Sequence, residues 1–452
     1  MEKKKEEVWQ IVYPHSAGID VGSRFHMVAV GQSDDQVRKF GINTDDHNLM
    51  IDFLKVHQIT HVAMESTGSY FQTLFLALQE AGFEVSLVHG SHTKGIGGQK
   101  TDVKDCKWIQ KLFTYGFLKS CFLPSNATME IRTLNRHRNN LIDESSRLLN
   151  RIGQCMRQMN IRLDVAINDL GGKTGQSIIQ AIVEGQRDGN KLAILADSRI
   201  RKSHQELAQY LQGRWNDNQL YILKDLHQAY QYVRNRIENC DQQMKNCFDQ
   251  IIESQGAEEA GKINLTKKQK SRNSSSLNVC TTSYQYYGVD LMEIECVSEA
   301  TVMSLLAEVG KDIFKFSTAS KFVSWLRLAP NNKKTGGKII SSKTPQTTNK
   351  FTLTLRNAAN TISRKKTGYL LHFFQKIAYK KGRGAAITAT ARKMAVIIWN
   401  MITKKQPYKP IDMDQYKLKK RQRTLKTINK LIKHMEINTD ELIIGSQRLA
   451  GS

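Results

Sequence analysis

The sequence predicts an α/β domain with a mixed sheet at the N-terminus, then a helical, coiled-coil-like arm and a mainly helical C-terminal domain. Three observations carry this. Short apolar runs alternate with helical-period segments over residues 1–125. A polar, arginine-rich helical pattern then continues without a strand signal. Beyond a basic stretch at 261–278, which has no acid and little apolar content, new helical segments begin.

Residues 17–21 (AGIDV) predict a first strand. The runs at 24–31 (RFHMVAVG) and 36–43 (QVRKFGIN) predict two more, with turn-forming GQSDD between them. Leu49, Met50, Phe53, Leu54 and Val56 recur near the helical period, so 45–58 predicts a helix. A strand at 60–67 (THVAMEST), a helix at 69–82 ending on Gly82 and a strand at 83–90 follow. A Gly-rich basic loop (91–100) then leads into a helix that runs to about Phe113. The order βββαβαβα puts three hairpin-linked strands before two βα units, a mixed sheet flanked by helices. It is the strand order of RNase H-like (RuvC-like) nucleases, although topology alone does not assign a function.

From Ile131 to Arg162 the helical pattern carries seven arginines and only two acids, Asp143 and Glu144. A one-signed face is uncomfortable as a plain solvated surface, so Arg132, Arg136, Arg138, Arg147 and Arg151 are candidate nucleic-acid contacts. Residues 175–255 read as helical, with a long polar helix over 220–252. The segment GGKTG (171–175) lacks the earlier glycine of a phosphate loop, because Ile167 stands there. Residues 261–278 predict a flexible basic linker or loop tip, and helices are expected at 298–308, 318–327, 349–363 and 385–403. The tail from Lys404 to Lys433 holds eleven Lys or Arg against Asp412 and Asp414, as a nucleic-acid arm or a solubilising tail. The expected domains are therefore 1–125, 126–285, 286–405 and a basic tail, 406–452.

Lys and Arg total 67 against 42 acids, a net charge of +25, which favours a polyanionic partner. No run approaches a membrane span, and the charged N-terminus (MEKKKEEVWQ) lacks the apolar core of a secretory signal. Seven cysteines without a CxxC pair argue against a zinc ribbon or a disulfide framework and point to a cytoplasmic protein.

Four acids stand out. Asp20 lies in the first strand, Glu65 near the end of the fourth, and Asp102 and Asp105 open the last helix of the unit. At a spacing of three, Asp102 and Asp105 share a helix face, either as first-turn acids that favour the helix N-terminus or as paired carboxylates around a cation. Phosphodiester chemistry on this topology needs carboxylates from strands and a helix to converge on divalent metal.

The segments GIDVGSRFHMVAV, AMESTGSYFQ and KTDVKDCKWIQKL resemble the N-terminal signatures of the DEDD transposases of insertion sequences. FVSWLRLAPNNKKTGGKIISSKT, NKFTLTLRNAANTI and KGRGAAITATARKMAVIIWNMITKKQPY resemble that family's C-terminal transposase domain. The family includes bridge-RNA-guided recombinases and related site-specific invertases. The resemblance implies a Mg²⁺ (or Mn²⁺) site made by Asp20, Glu65, Asp102 and Asp105. It implies a nucleophilic hydroxyl five residues past Pro330, where this chain has Thr335 in place of the family's serine; Ser341 and Ser342 are the fallback candidates. Threonine carries the same hydroxyl, but its methyl group crowds the attack. Lys333, Lys334, Lys338 and Lys343 surround Gly336-Gly337, which leaves room for a phosphate. ECVSEA (295–300) departs from the family's turn. The resemblance further implies donor and target DNA, a structured guide RNA and a homo-oligomer, dimer or tetramer, with no membrane partner. The alternatives are a structure-specific nuclease that uses water, and a non-catalytic nucleic-acid-binding protein.

Overall fold

A computed structural model describes residues 10–65, 68–90, 101–255, 265–266 and 271–434. The chain divides into two compact units, Met1–Leu123 and Pro124–Ser452.

In the first unit β1 (Ser16–Val21), β2 (His26–Ala29) and β3 (Val37–Phe40) form an antiparallel meander. Helix α1 (Thr44–Val56), β4 (His61–Glu65), α2 (Phe71–Glu80), β5 (Glu84–Val88) and α3 (Asp102–Thr114) follow. The sheet order is β3-β2-β1-β4-β5, with β4 parallel to β1 and to β5. This mixed sheet with flanking helices is the RNase H-like arrangement that the element order predicts. The Gly-rich loop at 91–100 lies outside the described residues.

Strand periodicity sorts β1 into two faces. Ala17, Ile19 and Val21 join Leu54, Leu74 and Leu78 in a core under α1 and α2. Ser16, Gly18 and Asp20 point the other way, toward α3. There the Ser16 hydroxyl meets Thr114 Oγ1 at 2.9 Å, and Gln110 donates to the Ser16 carbonyl at 3.4 Å. Between these contacts the backbones touch. A Cβ on Gly18 would stand 2.3 Å from the Gln110 nitrogen and 2.5 Å from the Cys106 carbonyl oxygen.

The second unit is built on two long helices, α4 (Asn126–Gln158) and α6 (Asp217–Gln255). They run antiparallel: Cys155 donates to the Gln219 carbonyl, while Cys240 donates to the Leu134 carbonyl far along the pair. Short helices between them, including α5 (Lys173–Val183), close over a core of Ile152, Met156, Ile178, Ile182 and Leu223. The GGKTG segment only starts α5, with Gly172 at its N-cap. Then come α7 (Glu299–Glu308), α8 (Ala319–Trp325), a hairpin of β6 (Lys333–Thr335) and β7 (Lys338–Ser341), α9 (Lys350–Ile362), α10 (Tyr369–Lys381), α11 (Arg383–Lys404) and α12 (Met413–His434).

Two expectations need correction, and one segment gains an element. Residues 271–278, read as linker, are ordered, because buried Asp241 accepts from the Ser275 hydroxyl at 2.7 Å and from the Ser276 nitrogen at 3.0 Å. Residues 261–264 and 267–270 of that stretch lie outside the described residues. Helix α10 arises where none was expected; Leu370, Leu371 and Phe374 give it a buried face. The basic tail contains helix α12, while 435–452 lie outside the described residues.

The Gly18 contact is testable. Gly18→Ala forces α3 off β1, an overpacking cost of about 1–3 kcal/mol. Urea denaturation of the variant should show that loss, and unchanged stability would mean that α3 is not seated as described.

Candidate active site

The sheet brings two carboxylates side by side. Ile19 pairs with Met64 across parallel β1 and β4, so Asp20 and Glu65 each follow one step on, at the carboxyl ends of adjacent strands. In open α/β sheets this end is where ligands bind. Both lie on the α3 side: Asp20 shares parity with Gly18, and Glu65 shares parity with Ala63, which packs against Ile109 and Phe113 of α3. Helix α3 supplies the other two from its first turn, Asp102 and Asp105.

The helix needs neither acid as its cap. Thr101 does that work, its hydroxyl oxygen accepting from the Lys104 nitrogen at 3.3 Å. Asp102 is exposed, while Asp20, Glu65 and Asp105 are half-buried. Burial first, then the charges of Asp102, Asp105 and Glu65, push the Asp20 carboxyl up to about 6. Among the described residues no Lys, Arg or His forms an ion pair with Asp20, Asp102 or Asp105. The nearby Lys107 is committed to Asp34. Cys106, directly after Asp105, is buried, and burial above all pushes its thiol up to about 12, which disfavours the thiolate.

This donor set is all oxygen and strongly negative, which fits a hard divalent ion. Among the described residues no three acids stand close enough as they are to cage one.

Thr335 lies in the second unit, at the end of β6. It pairs with Lys338 across a two-residue turn in which Gly336 has φ +54° and Gly337 φ +77°. Positive φ at both positions is the type I′ hairpin geometry, so the glycines are required by the turn itself. No heavy atom lies within 4 Å of where either Cβ would be, which leaves the turn open to an approaching group. Thr335, Lys333, Lys334, Lys338, Ser342 and Lys343 are exposed, and Ser341 is half-buried.

A DEDD-type transposase family model matches residues 17–161, and the model of the transposase IS116/IS110/IS902 family matches residues 290–375. The chain belongs to the IS110 family of DEDD transposases. No curated protein matches it. The first match spans the sheet, α3 and α4; the second includes the hairpin of Thr335. Membership makes the transposase an enzyme that cuts and rejoins DNA, in a family that uses divalent metal. Among the described residues no helix is long and apolar enough to cross a membrane.

The arginines of α4 divide sharply. Arg138 is buried, donating to Asp241 at 2.5 and 3.3 Å and to the Asn273 carbonyl at 3.1 Å. Arg132 donates to the Glu308 carbonyl at 2.5 Å, and Arg136 grips the Glu308 carboxylate at 3.0 and 3.1 Å. Glu308 itself is buried. The expectation that Arg132 and Arg138 meet nucleic acid is therefore corrected, since their largely buried side chains hold helices together, while the Arg136 side chain is half exposed. Arg147 and Arg151 are exposed, and neither pairs with an acid among the described residues.

The stronger signal lay elsewhere. No Asp or Glu occurs between Asp312 and Asp412, a stretch that holds 21 Lys and Arg. Most of the net charge of +25 therefore resides there.

The Asp20 shift has a definite pH consequence. With its folded pKa raised to about 6, Asp20 binds its proton more tightly folded than unfolded, so stability falls as pH rises from about 4 through 6. Asp20→Asn should therefore melt higher than the parent at pH 7.5 in EDTA, with the gap closing by about pH 4. Added Mn²⁺ should raise the parent's melting temperature and leave the Asn variant unmoved. A parent that melts no lower than the variant at pH 7.5 would remove the electrostatic strain.

Proposed function

We propose that this transposase cleaves and rejoins DNA strands through the hydroxyl of Thr335, with Mg²⁺ (or Mn²⁺) held by Asp20, Glu65, Asp102 and Asp105. The observation that supports the reading is the convergence of Asp20, Glu65, Asp102 and Asp105 at one end of the sheet, where burial first and then the charges of the other three raise the Asp20 carboxyl. Bound there, the ion would polarise a scissile phosphate and lower the cost of ionising a hydroxyl.

Thr335 gives its proton to solvent as its oxygen forms a bond to phosphorus. The bond from phosphorus to one sugar oxygen breaks, leaving a free hydroxyl end and a protein–DNA ester. Attack by a hydroxyl of another strand reverses the sequence and joins that strand. Lys333, Lys334, Lys338 and Lys343 hold the phosphate by charge. Arg147 and Arg151 remain nucleic-acid contacts in this reading. Exchange between two duplexes requires several such centres, hence a homo-oligomer of two or four chains. A structured guide RNA follows from the family resemblance. The second reading, a nuclease that uses water, draws support from threonine standing where the family has serine.

Trapping with denaturant followed by peptide mapping tests the nucleophile. Thr335→Ser should retain the adduct, whereas Thr335→Val, nearly isosteric but lacking the hydroxyl, should abolish adduct and recombination. Asp105→Asn should slow cleavage at least about a hundred-fold with nucleic-acid binding nearly intact. An adduct at Ser341 or Ser342, or recombination by the Val variant, removes Thr335 from the mechanism. Cleavage with no adduct in any variant establishes the water-using nuclease.

A further inference from the structure

The start of α10, the end of α11 and the chain at 406–411 line an open pocket of about 300 Å³ within the second unit. Tyr369 and Tyr408, both half-buried, contribute two rings to it. Lys393, Lys404 and Lys409 add positive charge, and Asn400 adds an amide. No acid lines it, and among the described residues none of these three lysines pairs with one.

The parts are held in place. The Tyr369 ring meets Tyr416 edge to face at 5.4 Å, and Lys393 Nζ lies 5.4 Å from the Tyr369 ring centre. The Tyr408 backbone nitrogen donates to Glu293 at 3.0 Å, which pins the returning chain. Asn400 spends its amide nitrogen on the Val396 carbonyl at 2.8 Å.

We propose that this pocket binds one unpaired nucleotide of single-stranded DNA, its base against the tyrosine rings and its phosphate on the lysines. Aromatic faces give a base a stacking platform, and unpaired lysines give the backbone its counter-charge. A small anion would have no use for the rings. A paired base cannot enter, because its neighbours in the helix cover its faces. The choice of DNA rests on the transposase reading, since strand cleavage exposes unpaired ends, and RNA is an arm of the test.

The experiment uses the full chain in EDTA, so that binding is read without cleavage and stands apart from any outcome at Thr335. The probes are fluorescein-labelled oligo(dT), oligo(U) of equal length and a short duplex, each titrated over a range of salt. Lys404→Gln with Lys409→Gln should weaken oligo(dT) about ten-fold and flatten its salt slope by about 1.4, at roughly 0.7 per phosphate contact. Tyr369→Leu should weaken oligo(dT) about five- to ten-fold with the slope unchanged, since stacking releases no counterions. Duplex binding should move less than about two-fold in both. Should Tyr369→Leu fail to fold, the two exposed lysines carry the test alone. Unchanged oligo(dT) binding, an equal loss on duplex, or a loss confined to oligo(U) would each overturn the proposal.

Discussion

The candidate active site depends on a backbone contact. Helix α3 lies directly on β1 at Gly18, where the nearest helix atoms are the Gln110 nitrogen and the Cys106 carbonyl oxygen, not side chains. Side-chain packing can adjust by rotamer changes, but two main chains in contact cannot. The distance from Asp102 and Asp105 to the strand carboxylates is thereby set by the absence of one methyl group. Asp20 bears the consequence, half-buried among three like charges. A fold selected for stability alone would not collect these groups, and functional sites are where such costs are tolerated.

Positive charge is used in two ways in this chain. In the first half of α4 it is structural. Arg138 closes on buried Asp241, which also takes two donors from the 275–276 turn, and Glu308 receives two arginines. Losing one partner would strand a buried charge, so these pairs are strict requirements of register more than sources of net stability. Between Asp312 and Asp412 the chain offers no acid at all, so its cations must look outside that stretch for counter-charge. Net charge alone does not distinguish these uses.

The first unit was legible in the sequence because its signals are local. Strand runs, helix periods and the glycine stop at Gly82 each sit within a dozen residues, and they place Asp20, Glu65, Asp102 and Asp105 on the right elements. The pairing of Arg132 and Arg138 is not legible because their partners are remote; Glu308 and Asp241 lie more than a hundred residues away. The ordered turn at 271–278 failed for the same reason, since polar serines look like linker until buried Asp241 is known. Helix α10 lies between Gly368 and Gly382 over an apolar pattern too short to stand out, and the Gly-Gly pair of the hairpin fits phosphate access and turn geometry equally well in sequence.

The hairpin has a mechanical property of its own. Ile339 and Ile340 on β7 are 56 and 70% exposed, and β6 is exposed throughout, so little packing anchors this ribbon laterally. Its shape comes from the tight turn and the pairing of Thr335 with Lys338. In a two-stranded ribbon each residue's side is decided by parity. One residue added or removed between Gly337 and the strand would swing the threonine hydroxyl to the opposite side from its cationic partner, with no change in composition. The aim of the Thr335 hydroxyl is thus stored as a count of residues, and length polymorphism in this turn would be a more drastic event for the hairpin than most substitutions within it.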